Sequence, residues 1–323
     1  MNEDLLLMLK ESNDYISGEE ISKKFGVTRA AVWKSINTLK EKGYKIEGVS
    51  RKGYKLISSP DLLIKKELIN SLSTKFIGHN IEYFETVSST NEVAKDCASK
   101  GSADGTIIIS EEQNGGHGRF DRPWKSPKGG LWFSLILKPN IEPTAASKIT
   151  QIVGAALLNA LKSIDIKALI KWPNDVYVDG KKICGILTEM KCDMERVNYL
   201  VVGIGINVNL DESSFDESIK DKATSLKIVK GEAIDKTYLL ATFLKEFEDM
   251  YLKFVNENDF SIPLSICRDN SFILNKDAYH VTIAGKEKVT CIGINDQGEL
   301  LVKDSSGNVK PVLSGEITFK LEE

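Results

Sequence analysis

The stretch ALIKWPNDVYVDGKKICGILTEM, residues 168–190, decides how the centre of this 323-residue chain is built. It reads as a strand followed by a hairpin, because Asp179-Gly180 supplies the two positive-φ positions of a type I′ turn. Strands and helices alternate on either side of it. Upstream come NIEYFETV (80–87) as a strand, STNEVAKDCASKG (89–101) as a helix stopped by Gly101, GTIIIS (105–110) and LWFSLIL (131–137) as strands, and an apolar helix over 144–163. Downstream, NYLVVGIGINVN (198–209) is a buried strand and KTYLLATFLKEFEDMYLKF (236–254) an amphipathic helix. The sum is a mixed α/β domain built mostly on antiparallel hairpins.

Between Ser110 and Leu131 the chain reads SEEQNGGHGRFDRPWKSPKGGL, a polar connection of roughly twenty residues where a hairpin needs two to five. Long ordered loops of this kind bind ligands. Its glycines let backbone approach a ligand closely, and Arg119 and Arg122 are fixed cations suited to phosphate or carboxylate. The loop therefore reads as a lid over something anionic.

The first 59 residues hold 11 Lys/Arg against 8 Asp/Glu, a net of +3, which leaves −6 for the remainder of a chain of formal charge −3. Between Phe25 and Lys55 eight basic residues face only Glu41 and Glu47, so only the N-terminal end is made for a polyanion. Five cysteines without a C-x-x-C argue against a disulfide framework and a zinc site and for a reducing cytoplasm, and no apolar run or leader suggests export or insertion.

At the N-terminus, LLLMLKES reads as a helix, and SGEEISKKFG as a second that opens with a Ser17/Glu20 capping box and closes at Gly26. In the third, Thr28 is the N-cap, Val32, Ile36 and Leu39 form the inner stripe, and Gly43 the stop. Arg29, Trp33, Asn37 and Lys40 are left on or near its outer face. YKIEGVSRKGYKL then makes a hairpin with Arg51 and Lys52 at its tip. Three helices and a two-stranded wing resemble the winged helix-turn-helix DNA-binding domains, with the third helix in the major groove and the wing on backbone or minor groove. The alternative is a small helical domain with a merely solvated basic face. ISSPDLL, residues 57–63, marks the boundary, giving domains at 1–60, 61–268 and, from the alternating turn-rich C-terminus, a small β barrel at 269–323.

Four polar constellations fall at strand ends: SSTNE (88–92), the glycine and arginine loop with Trp124, KWPND (171–175) with Lys182, and GIGIN (203–207). Singly each is weak; Ser89 and Thr90 could be an N-cap pair, and Gly203-Ile204-Gly205 lacks the helix of a dinucleotide fingerprint. In this order they resemble the catalytic domain of biotin–protein ligases. With the winged helix, nearly the whole chain resembles the bifunctional ligase and biotin operon repressor, an α+β multidomain fold: winged helix-turn-helix, mixed α/β catalytic domain and SH3-like barrel.

The resemblance implies ATP and biotin as substrates, Mg²⁺ accompanying ATP, no protein-bound metal cluster, a biotin carboxyl carrier protein domain and operator DNA as partners, and a homodimer when adenylate is bound. It implies that Ser89, Thr90, Asn91 and Gln113 hydrogen-bond the ureido ring of biotin, while Gly116, His117, Gly118 and Arg119 fold over biotin and phosphate. Lys182 would hold the biotin carboxylate and α-phosphate, with Arg119 as its catalytic companion. The strand carrying Gly203 and Gly205 would floor the pocket and Gly185 would also touch biotin or adenylate, with Arg122, Trp124, Asn174 and Asn207 on the nucleotide side. The family's loop usually reads Gly-Arg-Gly-Arg; here His117 replaces the first arginine, which loses a permanent charge and a bidentate fork.

Independently of the resemblance, adenylation brings two anions together, and Lys182 and Arg119 can neutralise that repulsion. Two other functions share these features. A lipoate or octanoate ligase has the same fold and chemistry, but its arginine and triple-glycine run is absent. A biotin-sensing transcription factor without ligase activity would be supported by a missing lysine, but Lys182 is present.

Overall fold

The computed structural model describes residues 1–194, 196–282, 285–313 and 315–319, in two compact units, Met1–Ser71 and Leu72–Glu323. The final residues of the predicted C-terminal domain, 320–323, lie outside the described residues.

The first unit contains helices α1 (Asn2–Glu11), α2 (Gly18–Phe25) and α3 (Arg29–Glu41), strands β1 (Lys45–Val49) and β2 (Gly53–Ser58), and helix α4 (Lys65–Ser71). The helix ends are those the sequence predicts. Ser17 Oγ accepts from Glu20 N at 3.0 Å, Gly26 closes α2 in the left-handed conformation, and Thr28 caps α3 by accepting from Ala31 N. Leu5, Leu6, Leu9, Val32, Ile36 and Leu39 form one buried core with Tyr44 and Ile46. Ile64 belongs to the same core, and so the unit continues past the predicted boundary at residue 60 to the end of α4. The helical pattern of α4 is too short to read from sequence. Ile16 and Tyr54 exchange two 2.9 Å backbone hydrogen bonds, which fix β2 to the turn before α2. Gly53 is required there, since a Cβ would lie 2.0 Å from Ile16 O.

The second unit is organised on a seven-stranded sheet. In chain order it contains β3 (Ile81–Val87), α5 (Thr90–Ser99), β4 (Thr106–Gln113), β5 (Leu131–Leu137), α6 (Ala146–Lys162), β6 (Leu169–Lys171), β7 (Asp175–Val178), β8 (Lys181–Cys192) and β9 (Val197–Ile206). The spatial order is β3-β4-β5-β9-β8-β7-β6, with β3 and β4 parallel and every other pair antiparallel. The predicted type I′ turn lies between β7 and β8, with both Asp179 and Gly180 at positive φ. Helices α7 (Leu226–Lys230), α8 (Lys236–Glu257) and α9 (Ser261–Asp269) follow.

Directly opposed residues share a face of a sheet, which sorts the two sides. Phe133 and Val202 belong to the face covered by α6 and α8, where Phe133, Phe243, Phe247 and Tyr251 form a continuous aromatic row. Glu248 of α8 accepts from the amides of Lys75, Phe76 and Ile77, tying the segment before β3 to this layer. The other face carries Ser134, Ile136 and Val201 under α5, whose Ala94 and Ala98 allow close approach. Beyond the end of α5 that face presents Gly185, Gly203 and Gly205, with Gly185 directly opposite Gly205.

Strands β10 (Lys276–Thr282), β11 (Gly285–Ile294), β12 (Leu300–Asp304), β13 (Val309–Val312) and β14 (Glu316–Thr318) form an antiparallel sheet in the order β13-β12-β11-β10-β14. The predicted barrel is thus a five-stranded sheet, and among the described residues its outer strands do not pair. It belongs to the same compact unit as the larger sheet: Gln151 Nε2 and Trp172 Nε1 both donate to Gly298 O, at 2.8 and 3.1 Å. Trp132 and Trp172 are buried core aromatics. All five cysteines are free thiols, and burial pushes that of Cys184 up. No helix among the described residues is long and apolar enough to cross a membrane.

Candidate active site

The glycine face of the sheet is the floor of a cavity of about 670 Å³ in which the four constellations converge. Its wall includes Ser89, Thr90, Asn91, Gln113, His117, Gly118, Arg119, Arg122, Trp124, Asn174, Lys182, Gly185, Gly203, Gly205 and Asn207. Gly116 lies behind the wall, where a Cβ would be 2.6 Å from Trp124 O.

At one end the first turn of α5 meets the end of β4. Ser89 occupies the N-cap position without a side-chain capping bond, so its hydroxyl is not consumed as a cap. Gln113 Oε1 accepts from Thr90 N at 2.8 Å and from Thr90 Oγ1 at 3.1 Å, while its Nε2 donates to Ser126 Oγ at 2.8 Å. The glycines make room for protein groups: a Cβ on Gly203 would lie 2.2 Å from Asn91 Oδ1, and one on Gly205 2.5 Å from Trp124 Nε1. That Nε1 is buried without a hydrogen-bond partner. A slot for ligand is therefore not what Gly203 directly provides; it accommodates the Asn91 carboxamide.

At the other end the cations gather. Lys182 Nζ lies 2.7 Å from Asp175 Oδ1 and 5.0 Å from the Trp124 ring centroid. The Asp175 contact is one of charge; Oδ1 is buried and receives no directed hydrogen bond. Arg119 donates to Asn174 Oδ1 at 3.4 Å and to Gly315 O at 3.0 Å, and burial lowers its basicity. Arg122 makes a bidentate pair with Glu316 of β14, both contacts 2.7 Å, and this hydrogen bonding holds the Glu316 carboxyl below its ordinary range. Burial likewise lowers the pKa of Lys171 in the same wall. Asn174 Nδ2 donates to Ile186 O at 2.9 Å. Asn207 is buried and donates to Thr224 O, so it anchors the chain around the pocket.

His117, Glu92 and Glu189 each place one donor atom within 4.8 Å of the others, but the Lys95 ammonium already pairs with both carboxylates.

Sequence reasoning missed part of the wall. Asp175 sits inside KWPND, where the pattern points instead to its neighbour Asn174. Ser214, Phe215, Asp216, Ile219 and Ala223 come from DESSFDESIKDKA, residues 211–223, which has the composition of a solvated acidic loop. The one signal in it is the spacing of Phe215 and Ile219, an apolar pair at i, i+4 in an otherwise polar run. The Lys182 backbone holds this segment, N–H to Lys222 O at 2.8 Å and carbonyl from Thr224 N at 3.0 Å, and Lys125 of the glycine loop pairs with Asp216.

In the first unit Arg29, Trp33 and Lys40 are exposed on α3, Asn37 is half-buried beside them, and Arg51 and Lys52 are exposed at the tip of the wing. Arg29 pairs with Glu19 of α2. Lys52 and Lys55 lie 5.8 and 5.9 Å from the Tyr15 ring centroid.

Comparison with known proteins matches residues 83–207 to the biotin/lipoate A/B protein ligase family and residues 2–55 to a helix-turn-helix domain family. The bifunctional ligase/repressor BirA of Bacillus subtilis (strain 168) is 35% identical over 98% of this chain and 98% of its own. The chain belongs to the bifunctional ligase/repressor family. The Escherichia coli (strain K12) member is 28% identical over 98% of this chain and 97% of its own, so the resemblance holds across the complete three-part arrangement. Among solved structures, the biotin protein ligase of Aquifex aeolicus in complex with biotin and ATP is 31% identical, with a TM-score of 0.64, covering 74% of this chain and 98% of that one. The winged-helix unit and the ligase unit are thus family features.

Proposed function

We propose that this chain activates biotin with ATP and passes it to a carrier protein, and that its first unit represses a biotin operon when the adenylate accumulates. In the first step the biotin carboxylate attacks the α-phosphate of ATP, a P–O bond to the leaving pyrophosphate breaks, and biotinyl-adenylate forms. In the second a lysine amine of a biotin carboxyl carrier domain attacks the activated carbonyl, forms the amide and releases AMP.

One observation carries the ligase reading: Lys182 and Arg119 lean on the consecutive residues Asp175 and Asn174 inside one cavity, whose other end is a neutral hydrogen-bonding wall. Two cations at a shared point suit a reaction that brings two anions together, and the neutral end suits the ureido ring. Ser89, Thr90 and Gln113 would bind that ring, Asn91 would back them, and Arg122, Trp124 and Asn174 would serve the nucleotide. Gly118 and His117 would close over the anhydride. Asp175 Oδ1 is already paired with the Lys182 ammonium at 2.7 Å, so Mg²⁺ would enter with the ATP phosphates rather than be held by a carboxylate set of the chain. The relative solved with biotin and ATP favours biotin over lipoate, which the family model alone does not separate. Free thiols accord with the cytoplasm.

For the repressor half, the exposed cations of α3 and the wing tip would contact operator DNA. A unit of this size reads few base pairs, so two copies on a palindrome are required, and adenylate binding would favour the dimer. The test is pyrophosphate exchange into ATP with biotin, lipoate and octanoate compared, together with sedimentation and operator titration with and without biotin plus ATP. Exchange that favours lipoate or octanoate would replace the ligase reading. Self-association and DNA affinity that both ignore adenylate would remove the repressor half alone.

A further inference from the structure

Behind the neutral end of the cavity runs a chain of polar groups whose directions are set by acceptor-only atoms. Glu189 Oε2, a carboxylate oxygen that only accepts, lies 2.7 Å from Asn91 Nδ2, closer than the Leu187 carbonyl at 3.4 Å, and is the stronger of the two acceptors that turn the nitrogen of the Asn91 carboxamide toward β8. Its Oδ1 then faces Ser134 Oγ at 2.6 Å. An amide oxygen also only accepts, so the fully buried Ser134 must direct its single proton there. Ser134 can therefore only accept from its other neighbour, Thr90 Oγ1, at 2.8 Å; the Thr90 proton is thus taken inside the protein, by Ser134 or by Gln113 Oε1, and toward the cavity Thr90 offers its lone pairs, which suit the N–H groups of a ligand. Gln113 is fixed independently, since its Oε1 takes the Thr90 N–H. Neither Glu189 nor Ser134 belongs to the cavity wall. Two features reserve the space and the charge. Gly203 lacks the Cβ that would strike Asn91 Oδ1, and Lys95 Nζ lies 3.2 Å from the second Glu189 oxygen.

We propose that Glu189 is a positioning residue: held by Lys95, it sets which atoms of Thr90 and Asn91 donate and which accept, and so matches that end of the pocket to a cyclic urea. This rests on the biotin reading above. A urea offers one carbonyl oxygen and two N–H groups. A wall with a fixed pattern discriminates it from 2-iminobiotin, where the carbonyl oxygen is replaced by a nitrogen that donates. Glutamine at position 189 keeps the shape but can present either an oxygen or a nitrogen to Asn91, so the pattern ceases to be unique.

The test uses the intact protein as wild type, Glu189→Gln and Glu189→Asp, with biotin-dependent and iminobiotin-dependent pyrophosphate exchange. For Glu189→Gln the KM for biotin should rise about tenfold, the loss expected from misdirecting one or two buried hydrogen bonds. The KM for ATP should stay at the wild-type value, and the preference for biotin over iminobiotin should shrink. Glu189→Asp, still acceptor-only, should recover part of that preference. An unchanged biotin KM and preference in Glu189→Gln would overturn the proposal. So would an equal loss with both ligands and ATP accompanied by a lowered Tm, which would make Glu189 merely structural. Wild type without biotin-dependent exchange would instead remove the biotin reading, and this inference with it.

Discussion

Replacing Gly203 by alanine tests how the pocket is built. The new Cβ would lie 2.2 Å from Asn91 Oδ1, 2.8 Å from its Cγ and 3.0 Å from its Nδ2, where ordinary contact begins at 3.4 Å. Relief requires the carboxamide to retreat by about 1.2 Å, the difference between 3.4 and 2.2 Å. Asn91 is only 4% exposed and lies beneath the first turn of α5, so retreat breaks its bonds to Ser134 and Glu189 together. Overpacking costs ~1–3 kcal/mol and loss of a hydrogen bond to a charged group ~1.5–3 kcal/mol. The two costs are not fully additive, and a total of ~3–5 kcal/mol corresponds to a Tm drop of about 6–20 °C for a unit of this size. Scanning calorimetry would measure it, with biotin KM from pyrophosphate exchange alongside. Gly205→Ala is the comparison: its Cβ meets Trp124, which sits on a loop and can swing away, so Tm should change little while ligand affinity falls. A Gly203→Ala protein with wild-type Tm and biotin KM would refute this account of the glycine floor.

Lys182→Ala should lower the adenylation rate by about a hundredfold or more, since it removes the cation proposed to bridge both reacting anions. The segment around residues 211–224 should stay in place because the Lys182 backbone holds it, and near-normal exchange would count against the assignment. At the wing, Arg51→Asn with Lys52→Ala should flatten the salt dependence of operator binding by about 0.9 in log–log slope for each phosphate no longer neutralised, and leave exchange unaltered; asparagine is chosen because Arg51 has a φ of 65°. The Lys125 hydrogen bond holds the Asp216 carboxyl at about 2, below its ordinary 3.8. The folded-state pKa is depressed, so the stabilisation from this clip is complete above about 3.8 and lost as pH falls toward about 2. The difference in unfolding midpoint between wild type and Asp216→Asn should therefore narrow over that interval, and parallel curves would mean that the clip contributes nothing.

What is legible in the sequence is legible through local rules. The Ser17 and Thr28 caps, the Val32/Ile36/Leu39 stripe and the Asp179-Gly180 turn depend on neighbours within a few residues, and each is found where the pattern places it. The convergence of four distant segments is legible only because their order resembles a family. Three things depend on tertiary contacts that no periodicity records. Helix α4 is too short to carry a signal and joins the first unit through Ile64. The residue 211–223 segment is polar by composition and becomes a wall because Lys182 and Asn207 hold its backbone. Gly203 is recognisable in sequence as a place without room for a side chain, but the occupant of that room, Asn91, follows from register and from the position of α5.

The charges of the cavity show why its cations can coexist before any anion arrives. Lys182 faces Asp175, Arg122 grips Glu316 with both arms of its guanidinium, and Lys125 pairs with Asp216. Each of these cations must exchange an internal carboxylate for a substrate oxygen if it is to act on substrate, so its net contribution is the difference between two charged partners. Arg119 is placed otherwise. Its guanidinium donates to two neutral oxygens, Asn174 Oδ1 and Gly315 O, and the nearby carboxylates of Asp175 and Glu316 act on it through charge alone. An anion reaching Arg119 displaces weaker partners from a partly desolvated guanidinium, where charge-assisted bonds are strongest. Of the loop's two arginines, Arg119 therefore gains more from an arriving phosphate or carboxylate, and Arg122 serves first to bind the loop to β14. His117 of the same loop carries no permanent charge, so the standing positive charge the loop can turn toward an anion is that of Arg119 first.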